Sequence, residues 1–344
     1  MMDPLVMVIG LVLAVYIAWA IGSNDAANPT NTAVGSGALG LKAALIVFSL
    51  SAFAGAVLQG WMVMKTFGGG VVRIRDLYDA VIATVATALW VTISSLYGMP
   101  ISTTHSAVGS VLGIGLASYL IRGAVDMNVA VVANVVASWI TSPLGSMGLA
   151  AGMYLLTRRF VKYLITRGVR REDVERLLRY LIVASLAYSA YSFGANDVGN
   201  ATGVYYVVVG NVASEAVARL ALAIIGAVGI AVGGFTLGRR VIETVAYRLT
   251  KLDLVTGFSA GISNALIVWL FTTVPTYILG YGMPVSTTHA SVSAVLGVGL
   301  VKHGLRGVKW STFLRIVLSW VLTVPLTAAL SLSIRVLVSY TLGV

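Results

Sequence analysis

The chain of 344 residues has no cysteine, only seven prolines and just 10% charged side chains. The missing cysteines exclude a disulfide, a thiolate metal site and a cysteine nucleophile. Acids are scarcer than bases, twelve Asp and Glu against 23 Lys and Arg, for a net charge of +11. A basic balance suggests nucleic acid, but these basic residues build no continuous face. They collect in short clusters between apolar runs, as the positive-inside rule of membrane proteins requires, so nucleic acid is not an expected partner. Charge is absent over long spans. Asp25 is the one charged residue between Pro4 and Leu41, and Ala80–Ile121 and Leu254–Val301 contain no Lys, Arg, Asp or Glu.

Apolar residues fill the chain, 58% of it, and the mean hydropathy is +0.93. Runs of about 18 nearly uncharged residues are membrane helices. The composition therefore predicts an all-α polytopic membrane protein whose surroundings are the lipid bilayer. Leu5–Ile21 lacks a basic flank and a clean cleavage site, so it reads as a retained first helix rather than a removed signal.

The sequence is written twice. Gly98–Leu116 and Gly282–Leu300 share 13 of 19 positions, beginning G-M-P-I-S-T-T-H and G-M-P-V-S-T-T-H. Gly22–Val34 and Gly194–Tyr206 share Gly, Asn, Asp, Asn and Thr in register, and Ser138-Trp139 before Pro143 is echoed by Ser319-Trp320 before Pro325. The expected organisation is a first transmembrane repeat over 1–156, a basic cytoplasmic connecting loop over 157–179 and a second repeat over 180–344. The connector holds eight Lys or Arg and three acids, and Arg239–Lys251 reads as a second basic loop on the same side. Each repeat is expected to cross about five times, whether the S-T-T-H helix crosses and the Pro segment is one kinked span, or both fold back. An odd count gives the repeats inverted topology, with re-entrant or broken helices at the midplane and both termini outside.

Ten of the twelve acids lie in or beside loops and segment ends; Asp25 and Asp197 sit deep in apolar sequence at matched positions. A carboxylate there costs ~2.5–3.5 kcal/mol on insertion scales and by default marks an ion or proton site. Asn28 and Asn200 supply carbonyl oxygens four residues from Asn24 and Asn196, and hard cations bind through such oxygens. In each S-T-T-H loop, Gly-Met-Pro stops a helix and Ser-Thr-Thr starts the next. Two helix N-termini entering from opposite sides can enclose an anion between their N–H groups and the hydroxyls of Ser102, Thr103, Thr104, Ser286, Thr287 and Thr288. His105 and His289 either orient these loops or relay a proton. An oxyanion beside two carboxylates repels them by about 4 kcal/mol per pair at ~4 Å and an effective dielectric of 20. Such a site fills only when cations or protons arrive with the anion.

G-S-N-D-A-A-N, G-A-N-D-V-G-N, the two G-M-P-[IV]-S-T-T-H loops and the two Ser-Trp segments resemble the PiT family of inorganic phosphate transporters over nearly the whole chain. The resemblance implies a multi-pass plasma-membrane protein, not an enzyme, that imports inorganic phosphate by symport with Na⁺ or H⁺ and forms a homo-oligomer. It places phosphate on Ser102–Thr104 and Ser286–Thr288, with Asn24 and Asn196 beside them. It places the coupling cation on Asp25, Asp197, Asn28 and Asn200; Asp25 and Asp197 hold Na⁺ if coupling is to sodium. No prosthetic cofactor is implied. Rival readings are a sulfate permease of the same fold, a channel, and an intramembrane hydrolase built on Ser102 or Ser286.

Overall fold

The structure is a computed structural model that describes residues 4–123, 127–210 and 213–342. Regular structure among these residues is helical, apart from one antiparallel bridge between Val72 and Met127. The first half runs through α1 (Pro4–Asp25), α2 (Ala27–Gly35), α3 (Leu41–Gln59), the short α4 (Trp61–Lys65), α5 (Leu77–Leu96), α6 (Thr103–Arg122) and α7 (Val129–Thr166). The second half repeats that order with α8 (Arg171–Thr202), the short α9 (Tyr206–Gly210), α10 (Glu215–Thr236), α11 (Gly238–Arg248), α12 (Leu254–Leu279), α13 (Thr287–His303) and α14 (Trp310–Leu342). Eight helical stretches among the described residues are long and apolar enough to cross a membrane. α8 fails that criterion because charge crowds its first turns and polar residues its last, and α13 because it has 17 residues.

The halves meet where glycine lets backbones touch. A Cβ on Gly22 would lie 1.9 Å from the carbonyl oxygen of Ile230, and one on Gly233 2.0 Å from that of Trp19. The matching crossing of α3 and α8 puts a Cβ on Gly55 1.9 Å from the Tyr191 carbonyl and one on Gly194 2.0 Å from the Ala52 carbonyl. In lipid no hydrophobic force separates helix from solvent, so this close packing of small residues is what holds helices together. The contacts also give direction. Gly229 faces Val15 and Ala18 while Gly233 faces Trp19 and Ser23, so α1 and α10 run the same way; Gly55 against Tyr191 and Gly60 against Val198 make α3 and α8 parallel. The last helices exchange partners, with α6 packed on α14 and α13 on α7.

Two segments differ from their sequence reading. The stretch 157–179 is not a loop: α7 continues to Thr166 and α8 starts at Arg171, leaving four connecting residues. Tyr154, Thr157, Val174 and Leu178 are buried, so an apolar stripe carries both helices past the charged residues. Arg239–Lys251 is likewise mostly helical. Val241, Ile242 and Val245 recur at helical spacing and are buried under α2, with Arg239 and Glu243 paired on the outer side at 2.7 Å. The Gly-rich stretch 59–76 holds α4 and a π-turn at Thr66–Gly70 before the chain reaches its bridge at Val72. Pro143 and Pro325 lie inside α7 and α14, so each Pro segment is one long helix rather than a fold-back. At ~1.5 Å per residue these two helices are the longest of the fold and overreach a core of about 30 Å.

One buried ion pair ties α14 to α5. Arg335, 3% exposed, donates from Nε to Asp79 Oδ1 at 2.7 Å, and its Nη2 lies 3.7 Å from Asp76 Oδ2. Asp76 in turn caps α5, accepting the Asp79 N–H at 2.8 Å.

Candidate functional site

The helix carrying the first N-D-x-x-N pattern passes Ala26, which keeps helical dihedrals (φ -55°, ψ -22°) and donates to the Gly22 carbonyl at 3.2 Å, and continues as α2. In the second half α8 continues unbroken through Asp197 and Asn200 and loosens only at Thr202. The polar patches are thus helical, and a broken helix is found only in the second, at Thr202, beyond its Asp and Asn residues. Four-residue spacing then puts Asn24 and Asn28, and Asn196 and Asn200, along one face of each helix.

Both carboxylates are fully buried. Thr103 donates its hydroxyl to Asp25 in a very short hydrogen bond and reaches Asp197 Oδ1 at 3.4 Å; Thr288 donates to Asp25 Oδ1 at 3.2 Å. The asparagines cross between halves. Asn28 of the first half donates to Thr287 and Thr288, both at 3.0 Å, and Asn200 of the second half donates to Thr104 at 3.0 Å and to Asp197 at 2.8 Å. Thr104 closes the circuit on the carbonyl of Val285 at 3.1 Å. Neither half is complete alone: each S-T-T loop is held by the asparagine of the other.

Ser102 and Ser286 are N-caps. Their hydroxyls accept the backbone N–H groups of His105 at 3.1 Å and His289 at 3.2 Å. Helix geometry leaves the amides of Thr103, Thr104, Thr287 and Thr288 without an intrahelical partner, at the positive ends of two helices. The arrangement therefore presents N–H dipoles on one side and carboxylates on the other. Around the carboxylates the buried side-chain atoms without a protein hydrogen bond include the oxygens Asn28 Oδ1, Asn200 Oδ1, Asn196 Oδ1 and Asp197 Oδ2 at the duplicated positions, with Asn31 Oδ1 and Asn264 Oδ1 nearby; the other such atoms of the duplicated loops are ring nitrogens of His105, His289 and their tryptophans. A set of dehydrated acceptors without donors matches a cation, since leaving each oxygen unmatched costs about 1–3 kcal/mol.

Two residues sit differently from expectation. Asn24, read as a phosphate ligand, donates to Ser95 Oγ at 3.1 Å and Met99 O at 2.9 Å and accepts from Ile101 N at 3.1 Å. Asn196 donates to Thr272 at 2.7 Å and Met283 O at 3.2 Å. Both side chains direct their amide hydrogens into the Gly-Met-Pro turns and so position the loops. The reason is local: the turn exposes main-chain carbonyls inside the membrane, and a buried carbonyl needs a donor.

His105 and His289 meet each other rather than the carboxylates. Their rings lie 4.4 Å apart between centroids, with Trp139 3.9 Å from His105 and Trp320 3.8 Å from His289. His105 Nδ1 donates to the carbonyl of Trp320 at 3.3 Å. With Ser102 and Ser286 accepting backbone amides and the imidazoles stacked on tryptophan, hydroxyl and imidazole form no nucleophile–base pair. Trp139 and Trp320 were visible as the repeated Ser-Trp pairs, although nothing in sequence showed that they bracket the histidines.

Sequence comparison of the halves missed residues that are not duplicated. Asn31 donates to Ser291 at 2.7 Å, Ser291 donates to Asn28 O at 2.9 Å, and Asn264 donates to Ser189 at 2.9 Å. The matching positions in the other half are Gly203, Ala107 and Ala80, so the site is asymmetric on the α2, α12 and α13 side.

A multi-pass bundle that buries a duplicated polar site between its halves defines a membrane permease. Residues 21–331 match the phosphate transporter family, and the chain belongs to it. A candidate phosphate permease of Pyrococcus abyssi is 32% identical over 96% of this chain and 97% of its own length. A candidate phosphate permease of Chlamydia pneumoniae is 28% identical, with the same two coverages. The solved structure named the sodium-dependent phosphate transporter superposes with a TM-score of 0.80, at 28% identity, over 98% of this chain and 99% of that one. The protein is accordingly a phosphate transporter, a multi-pass integral protein of the plasma membrane.

Proposed function

We propose that the chain imports inorganic phosphate by symport with Na⁺, holding the anion between the starts of α6 and α13 and the cation at Asp25 and Asp197. The observation that carries this reading is the crosswise bonding of Asn28 to Thr287 and Thr288, and of Asn200 to Thr104, around two fully buried carboxylates. Phosphate binds through the amides at the two helix starts and the hydroxyls of Ser102–Thr104 and Ser286–Thr288. The cation lies on Asp25, Asp197, Asn28 and Asn200; the unmatched oxygens of Asp197, Asn28 and Asn200 beside the Asp25 charge suit a hard ion. The anion cannot settle beside two carboxylates without that cation, so binding of the two is obligatorily coupled. Na⁺ is favoured over H⁺ because Na⁺ takes several oxygen ligands at once, and Asn28, Asn200 and Asp197 each offer an unmatched oxygen, whereas a proton engages one carboxylate oxygen. The name of the superposable structure, a sodium-dependent transporter, supports the same choice.

In this reading the repeats are inverted and each crosses five times. The parallel pairs α1 with α10 and α3 with α8 support it, because α2 continues α1 and only a short turn separates it from α3. The Arg167–Arg170 connector is cytoplasmic, both termini are outside, and one half rocks against the other to open the site to each side in turn. A homo-oligomer belongs to the same reading.

Uptake of labelled phosphate into proteoliposomes, with Na⁺ and pH gradients imposed separately, tests it. An inward Na⁺ gradient at equal pH should drive accumulation. Uptake driven only by the pH gradient transfers coupling to protons, and no response to either ends the symport reading. Loss of phosphate uptake in excess sulfate would make the protein a sulfate permease.

A further inference from the structure

We propose that the pocket between the α11–α12 turn and the α13–α14 turn binds the phosphate group of an anionic phospholipid. The pocket, about 300 Å³, is lined by Lys251, His303, Arg306 and Lys309, and no carboxylate is among its lining residues. The nearest acid in sequence, Asp253, is already engaged: it caps α12 through Thr256 N at 2.9 Å and pairs with Lys302 at 2.5 Å. Three basic side chains and a histidine therefore converge with no carboxylate among the lining residues. The walls are built rather than loose. Lys309 N donates to Leu249 O and Thr250 Oγ1 donates to Gly307 O, each at 3.2 Å, so the two turns are bonded to one another.

Position selects the ligand. α12 runs parallel to α8, since Ser185 packs on Gly261, Ser189 bonds Asn264 and Asn196 bonds Thr272. The pocket at the start of α12 thus lies on the same face as the Arg167–Arg170 connector. Beside it Leu305 is 68% exposed, Leu314 is exposed, and Trp310 is half-exposed with its indole N–H on the Leu305 carbonyl at 2.9 Å. A tryptophan with an apolar flank marks the headgroup level, and a basic pocket between helix ends at that level suits an anionic headgroup with its acyl chains along α14. Soluble phosphate offers the same oxyanion but has no use for the apolar flank.

Native mass spectrometry of the detergent-solubilised full chain, with phosphatidylglycerol or phosphatidylcholine of identical acyl chains, tests the assignment. The wild type should retain phosphatidylglycerol preferentially. Lys251→Gln/Arg306→Gln/Lys309→Gln should lose the preference by about fivefold for each cation removed. The control Arg158→Gln/Arg159→Gln/Lys162→Gln, exposed on the same face, should keep it, and the single exchange Arg306→Gln should show the same loss on a smaller scale if the triple variant misfolds. Equal retention in pocket and control variants overturns the proposal. So does displacement of the lipid by millimolar inorganic phosphate, which would make the site one for the free anion. The readout is lipid retention, so it stands or falls apart from the coupling ion and the phosphate site.

Discussion

The His105 and His289 rings meet edge to face at 80° with 4.4 Å between centroids, the one from the first half and the other from the second. Each follows an S-T-T sequence, and each is backed by a tryptophan from the other long helices, Trp139 of α7 and Trp320 of α14. The four rings join the starts of the two helices. That geometry suits the histidines to bracing the loops, a role we propose for them. His105→Phe should keep a ring in the stack and retain phosphate uptake with an unchanged pH profile. His105→Ala should weaken the stack by about 0.5–1.5 kcal/mol per lost contact and lower uptake. A changed pH profile in the Phe variant would instead establish a proton relay.

Asp25→Asn and Asp197→Asn should each abolish Na⁺-driven uptake while the protein still inserts and remains monodisperse. The amide keeps the hydrogen-bonding size of the carboxylate but removes the charge that a dehydrated cation requires. Full transport by either variant, measured in proteoliposomes, would move the cation elsewhere.

The glycine crossings should be intolerant of a single methyl group. Gly22→Ala and Gly55→Ala place a Cβ 1.9 Å from a carbonyl oxygen of the partner helix, so the helices must separate, at about 1–3 kcal/mol. Gly152→Ala on α7 meets nothing within 4 Å and should be neutral or stabilising by up to about 1 kcal/mol through helix propensity. Thermal unfolding in detergent separates the two outcomes.

Arg335 and Asp79 should behave as a buried pair. Arg335→Met leaves the buried Asp79 without its guanidinium and should cost about 3–5 kcal/mol, and Asp79→Asn, which leaves Arg335 its contact with Asp76, should cost less. The double exchange Arg335→Met/Asp79→Leu should recover most of that loss, as an apolar contact between α14 and α5 replaces the ion pair. A double variant no more stable than the singles would mean that Asp76 or the α5 cap needs Arg335 as well.

Much of the architecture was legible because lipid imposes simple rules. Long uncharged runs had to be helices, and carboxylates inside them had to be exceptional, so the membrane class and the positions of Asp25 and Asp197 followed from composition and duplication. The same rules hid the amphipathic helices. Charges in 157–179 and Arg239–Lys251 masked the buried stripes that make both regions helical, since a charge census carries no record of which face a side chain occupies.

Duplication located the S-T-T-H loops, the N-D-x-x-N patches and the Ser-Trp pairs, because matched residues stand out against a drifting background. Tertiary structure alone decided that Asn28 reaches the second loop and Asn200 the first, that Asn24 and Asn196 hold the turns, and that Arg335 finds Asp79. These partners lie far apart in the chain, and no local spacing records them. What unites them is a low-dielectric interior that leaves each buried donor and acceptor to find its match across the fold.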